Sequence, residues 1–169
     1  MNKTLSRKIE NKKEVFAWSM YDFANQPFTN LVVTFIYGTF FTTVIASNEI
    51  EGTQQWSHAV SITAIIVALL SPLMGAVADR GGYRKMFMFG FTWLTIISTT
   101  VLYFVLPGEV HRALFWFVIA NVGFEMGSVF CNAYLPDISH SKNIGRISGY
   151  GWSLGYVGGL IALALAITS

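Results

Sequence analysis

Cysteine, histidine and charge are all scarce in this chain. The one cysteine, Cys131, in 169 residues excludes an internal disulfide, and no CxxC or Cys/His pattern exists for a metal. A lone cysteine of this kind packs as a small buried residue. The three histidines, His58, His111 and His140, fall in predicted loops or at span ends, too dispersed to share an ion. Charged residues make up 12% of the chain, against roughly 25% in soluble domains, which excludes a globule hydrated on all sides. No Gly-Lys-Ser/Thr ending marks a phosphate-binding loop. The basic residues form no continuous surface, so nucleic acid is not expected as a partner. No cofactor signature is present, and neither a soluble domain, a low-complexity segment nor an internal repeat is visible.

What the chain does have is apolar length. It is 53% hydrophobic, with 14 Phe, 15 Gly and 5 Trp, and its mean hydropathy is +0.51. A bilayer core about 30 Å thick needs roughly 20 apolar helical residues. Segments at about 15–46, 57–78, 86–106, 113–134 and 147–168 meet that need. They predict an all-α membrane protein of five transmembrane helices, with residues 1–14 as a tail and 15–169 as the transmembrane domain. The basic N-terminus is not read as a signal peptide, because the apolar run after it is too long and lacks a small-residue cleavage site.

Charge then orients the spans. Lys3, Arg7, Lys8, Lys12 and Lys13 precede the first span, Arg80, Arg84 and Lys85 follow the second, and Lys142 and Arg146 follow the fourth. The alternate connections hold Glu49, Glu51 and Glu109, with Arg112 the one basic residue there. Ten of eleven basic residues therefore share one side, which the positive-inside rule makes cytoplasmic. The expectation is an integral protein of the cell membrane with its N-terminus in the cytoplasm. The abrupt stop after the fifth span suggests a fragment of something longer.

Polar groups at membrane depth are expensive and by default face a cavity or a partner. On the first span, Trp18, Asp22, Asn25 and Thr29 recur at i, i+4, i+7 and i+11, with Gln26 beside them, and so share one stripe. Pro27 cannot donate to the Phe23 carbonyl, which predicts a free acceptor at the same level. The fourth span repeats the spacing with Asn121, Glu125, Ser128 and Asn132. Gly123 and Gly127 on its neighbouring faces allow another backbone to approach. These stripes are candidates for holding a small polar solute, a cation or a proton. The third span carries only Thr and Ser hydroxyls and is expected outside, facing lipid. Gly151, Gly155 and Gly159 give the fifth span a small-residue face for tight helix packing.

The loop GAVADRGGYRK, residues 75–85, is similar to the signature loop of the major facilitator superfamily. Gly75, Asp79, Arg80, Gly82, Arg84 and Lys85 fill its defined positions, and it follows the second span on the predicted cytoplasmic side. WSMYDFANQPF at 18–28 and NAYLPDIS…GRISGYGWSLGYVGG at 132–159 resemble the vacuole-effluxer branch, which includes fungal vacuolar amino-acid exporters. The resemblance covers essentially the whole chain but only five of roughly twelve helices. It implies most of the N-terminal six-helix half of a rocker-switch transporter, with the first and fourth helices lining the cavity and residues 75–85 acting as a cytoplasmic gate. Two departures stand out. No arginine lies in the fourth span, and Tyr156 follows Gly155 where many antiporters have proline. The resemblance therefore implies neither proton coupling nor antiport.

The leading expectation is a non-enzymatic secondary transporter of small polar solutes, with amino acid efflux implied by the resemblance. Its partners would be the lipid bilayer, a solute with a proton or cation, and a missing C-terminal half or a second copy. The alternative is a non-transporting fragment or adaptor, inactive without its second half. An intramembrane aspartyl protease needs two facing aspartates, and no GxGD partner for Asp22 exists in the sequence.

Overall fold

The computed structural model describes residues 12–168, and over them the chain is helical with short connections and no strand. Lys3, Arg7 and Lys8 of the predicted tail lie outside the described residues, as does Ser169. Among the described residues five helices are long and apolar enough to cross a membrane: Lys12–Ile45, Glu49–Gly81, Arg84–Leu102, Val110–Ile138 and Ile144–Thr168. They are called the first to fifth spans below.

The second span starts earlier than its apolar segment. Glu49 and Glu51, expected in a connection, form its first turn, because Asn48 caps the helix and its Oδ1 accepts from the Glu51 N–H at 2.8 Å. Acidic groups in a first turn also suit the positive end of the helix dipole. The same helix ends at Gly82, whose φ of 67° is left-handed and suits glycine. The next reversal uses Gly108, and its N–H donates to the Ile45 carbonyl at 3.1 Å, tying the third-to-fourth connection to the end of the first span.

The first span changes character along its length. Lys12–Phe28 is α-helical, whereas Thr29–Phe35 and Phe41–Ile45 are π-helical, with the short α turn Tyr37–Phe40 between them. Pro27 stands at the boundary. Pro27 leaves the Phe23 carbonyl without its usual N–H partner. That carbonyl lies against Gly158 of the fifth span, where any Cβ would collide with it.

Glycines set the packing of the first span on the fifth. Cβ atoms at Gly151 would meet the Trp18 ring and Asp22, at Gly155 Asp22, and at Gly159 Asn30 and Gln26. Between helices in lipid, where apolar burial gives no net drive, such close contact is the main source of association. The third span packs along the fourth, and the second also lies against the fourth. The third is therefore only half a lipid-facing wall. Met86, Phe89, Trp93, Ile96 and Ile97 are exposed, while Thr95 and Ser98 are buried on its other side. Gly123 makes room for the Phe91 carbonyl and Thr95.

Burial concentrates at the two ends and the middle of the bundle. Val15, Trp18, Cys131 and Ile147 form one end. Ala78, Val122, Met126 and Phe130 form the middle, and Phe41, Ile45, Ala59, Leu102, Ala113 and Phe117 form the far end.

Gly158→Ala drives a methyl into the Phe23 carbonyl, and backbone cannot rotate away as a side chain does. It is expected to cost about 1–3 kcal/mol, typical of overpacking, measured by unfolding in detergent. Gly149→Ala, at an exposed position of the same helix with open space around its Cβ, is expected to be neutral or stabilising by up to about 1 kcal/mol. Equal effects at both positions would show that the contact does not hold the spans.

Candidate functional site

The seam between the first and fourth spans is built from four contacts in antiparallel register. Nearest the charged end, the Trp18 indole Nε1 donates to the Cys131 carbonyl at 2.9 Å. Cys131 is in the last turn of Val110–Asn132, and its carbonyl also accepts from the Tyr134 N–H at 3.1 Å, so the indole adds a second donor from another helix. One turn further in, the Tyr21 hydroxyl lies over Gly127, where a Cβ would approach it to 2.7 Å. That hydroxyl also lies 3.0 Å from Thr92 Oγ1 of the third span. Thr92 donates its own proton to the Met88 carbonyl at 2.8 Å, so Tyr21 is the donor between them. Next, the Asn25 amide donates to Ser128 Oγ at 3.3 Å. Finally the Phe28 and Phe124 rings stack with centroids 5.0 Å apart.

This seam sorts the two stripes. Asn25 and Ser128 are brought together, one from each. Trp18 is buried and bonded to backbone, so it locks the seam rather than facing a solute. Asp22 and Gln26 are turned toward the glycine face of the fifth span, and Asp22 Oδ2 lies 3.2 Å from the Cβ position of Gly151 and 3.7 Å from that of Gly155. Thr29 is half-buried and opens the first π-helical stretch. On the fourth span, Asn121 is only 5% exposed, while Glu125 and Asn132 are exposed on the surface of the five-span unit. Neither the Asp22 nor the Glu125 carboxylate makes a hydrogen bond or ion pair among the described residues. Asp22 is nine residues beyond Lys13, about 13 Å of helix rise, and so out of its reach.

The charged end carries the second predicted site. Arg84 Nε donates to Asp79 Oδ1 at 2.7 Å, and its Nη1 donates to Asp137 Oδ2 at 2.9 Å and to the Ala133 carbonyl at 3.3 Å. One guanidinium therefore joins the second span, the start of the third and the end of the fourth. Arg80 and Lys85 are exposed. Gly82 supplies the turn, but Gly75 makes no close approach, since a Cβ there meets nothing within 4 Å. Asp137 and Tyr21 were not singled out from the sequence. The one signal for Asp137 is its place after Pro136, where the fourth span ends beside the loop that holds Arg84.

With this geometry in place, known proteins give the family. The profile described as vacuole effluxer Atg22 like matches residues 56–169. The chain belongs to that family. It is 28% identical over 158 residues to an uncharacterised MFS-type transporter, YxiO, of Bacillus subtilis, covering 92% of this chain and 37% of the relative. Over 157 residues it is 31% identical to an uncharacterised protein of Aquifex aeolicus, covering 90% and 38%. Autophagy-related protein 22 of Coccidioides immitis is 35% identical over 79 residues, 47% of this chain and 13% of the relative. The chain thus spans less than two-fifths of the length of these relatives. No solved structure matches it.

In this vacuole-effluxer-like protein the Arg84 junction depends on a planar fork that a lysine does not reproduce. Arg84→Lys is therefore expected to speed hydrogen exchange at the amides of 133–139, and Arg84→Gln to speed it further. Exchange unchanged in both would show that the side-chain bridge does not hold the fourth span to the loop.

Proposed function

We propose that this chain supplies the first five membrane helices of a secondary active transporter for small polar solutes, working by alternating access. The Asn25–Ser128 hydrogen bond carries the reading, because it joins two polar stripes that lie on different helices. Around it stand Asp22, Gln26, Thr29, Asn121, Glu125 and Asn132, of which two are carboxylates without a counter-charge among the described residues. An ionisable group in such a place is by default part of a solute or ion path.

The basic residues of the described spans lie at the ends, so the stripes present acceptors and acids with no fixed cation between them. Such a lining suits an ammonium-bearing solute, a metal cation or a proton. Amino acid efflux is the finer reading, supported by the resemblance to vacuole effluxers. Residues 75–85 act as the cytoplasmic gate, with the Asp79–Arg84–Asp137 bridge holding that end. The positive-inside distribution supports an orientation with this end and the N-terminus in the cytoplasm, in the cell membrane. Transporter architectures of this kind place the solute between two structural repeats, so the remaining wall comes from a further half or a second copy.

In the full-length protein, Asp22→Asn and Glu125→Gln are each expected to lower solute flux about tenfold or more, the scale of a lost hydrogen bond to a charged group. Unchanged flux in both variants would remove these residues from the site. Residues 1–169 alone are expected to give no substrate-dependent flux in liposomes. Robust flux from them would overturn the need for a second half.

A further inference from the structure

The far half of the first span is built unlike any other part of the described bundle. Thr29–Phe35 and Phe41–Ile45 are both π-helical, and Ile36 between them has φ −98° and ψ −64°. π-helical turns are rare, are usually single, and mark functional positions more often than chance. Two in one span, directly beyond Pro27, replace a stiff rod with a segment that bends easily.

One side chain of the second span holds that segment. The Trp56 indole Nε1 donates to the Val33 carbonyl at 3.3 Å. The ring itself lies with its centroid 3.9 Å from that of Phe117 on the fourth span, 5.2 Å from Phe41 and 6.1 Å from Tyr37. Gly38 is fitted beneath it, and a Cβ there would lie 3.0 Å from the Val33 oxygen and 3.4 Å from the indole. Phe41 and Phe117 are fully buried, so the ring is the centre of the far-end core.

The clasp is not cost-free. The Tyr37 hydroxyl and Gln55 Oε1, which flank Trp56 in sequence or in contact, are buried without a hydrogen-bond partner. Opening the cluster would expose aromatic surface but rehydrate both groups. Two opposing terms of this kind suit an element with two positions.

We propose that the far half of the first span is a hinged gate, and that Trp56 latches it shut through the Val33 carbonyl. The hinge lies between Pro27 and Ile36, just beyond Asn25, whose amide bonds Ser128 at the polar stripes. Trp56 is thus a positioning residue, acting on the solute site through the backbone of the first span. The inference extends the transport reading but does not need flux to test it.

The test is hydrogen–deuterium exchange on the chain in nanodiscs. Trp56→Phe keeps the aromatic packing and removes the N–H. It is expected to speed exchange of the amides of 34–41 about tenfold, the scale of one net hydrogen bond, and to leave the amides of 121–130 as they are. Gly38→Ala, which presses on the Val33 carbonyl and the indole without touching the N–H itself, is expected to act on the same amides. Exchange of 34–41 within twofold of the parent in both variants would overturn the latch. So would uniform acceleration across all spans, which marks Trp56 as core and nothing more.

Discussion

The contact on which the bundle depends is the approach of the first span to the glycine face of the fifth. Gly151, Gly155, Gly158 and Gly159 let the two backbones come together, and the tightest point is the Phe23 carbonyl against Gly158. Pro27, four residues on, cannot donate to that carbonyl. Once this contact is set, the rotation of the first span is fixed. Trp18, Tyr21, Asn25 and Phe28 then meet the fourth span, and Asp22 and Gln26 remain beside the glycines.

Elsewhere many polar groups within the spans are satisfied locally. Hydroxyls inside the spans bond back to the preceding turn, as Thr63 does to Ala59, Ser71 to Val67, Thr92 to Met88 and Ser153 to Gly149. Such bonds satisfy the group within its own helix, which lipid demands. Two indoles add interhelical donors to backbone carbonyls, Trp18 to Cys131 and Trp56 to Val33. Against that background the carboxylates of Asp22 and Glu125 stand apart. Ser19, Tyr37, Gln55, Ser98 and Thr99 also keep a buried polar atom without a partner, but those groups are neutral. The two acids lack an ion-pair partner among the described residues, which supports their assignment to a solute path.

Much of this was open to sequence reading, and the reasons differ by feature. Five apolar runs of sufficient length fixed the helices, because bilayer thickness admits few other solutions. The stripe on the first span was visible by period, yet period assumes one regular helix and says nothing of what lies opposite. It grouped Trp18 with Asp22, whereas the neighbours separate them, one donating to a backbone carbonyl and the other lying along glycine. Gly158 escaped notice because the four-residue repeat picked Gly155 and Gly159, and only the folded chain brings the Phe23 carbonyl against the adjacent glycine. The π-helical half had no period of its own to detect. Asp137 lies far from Arg84 in the sequence, and only the folded loop brings the two together.

The two ends of the bundle are held by different physics. The charged end combines a small buried cluster around Trp18 and Ile147 with a guanidinium shared by two carboxylates that are more than half exposed. Water and salt weaken such a bridge at little structural cost. The far end rests on buried rings around Trp56, which are insensitive to salt and released only by moving helix against helix. In the alternating-access reading this asymmetry has a direct consequence. Opening the charged end breaks a salt-weakened bridge over a small cluster, whereas opening the far end must expose the larger set of rings around Trp56. Bending the first span at its π-helical half exposes less of that surface than rotating the whole bundle, because Phe117 and Ala113 stay in place on the fourth span while Phe41 and Ile45 swing away. A rigid α-helix there would couple every opening to the Gly158 contact. The irregular segment beyond Pro27 lets one end move while the tightest packing in the protein stays intact.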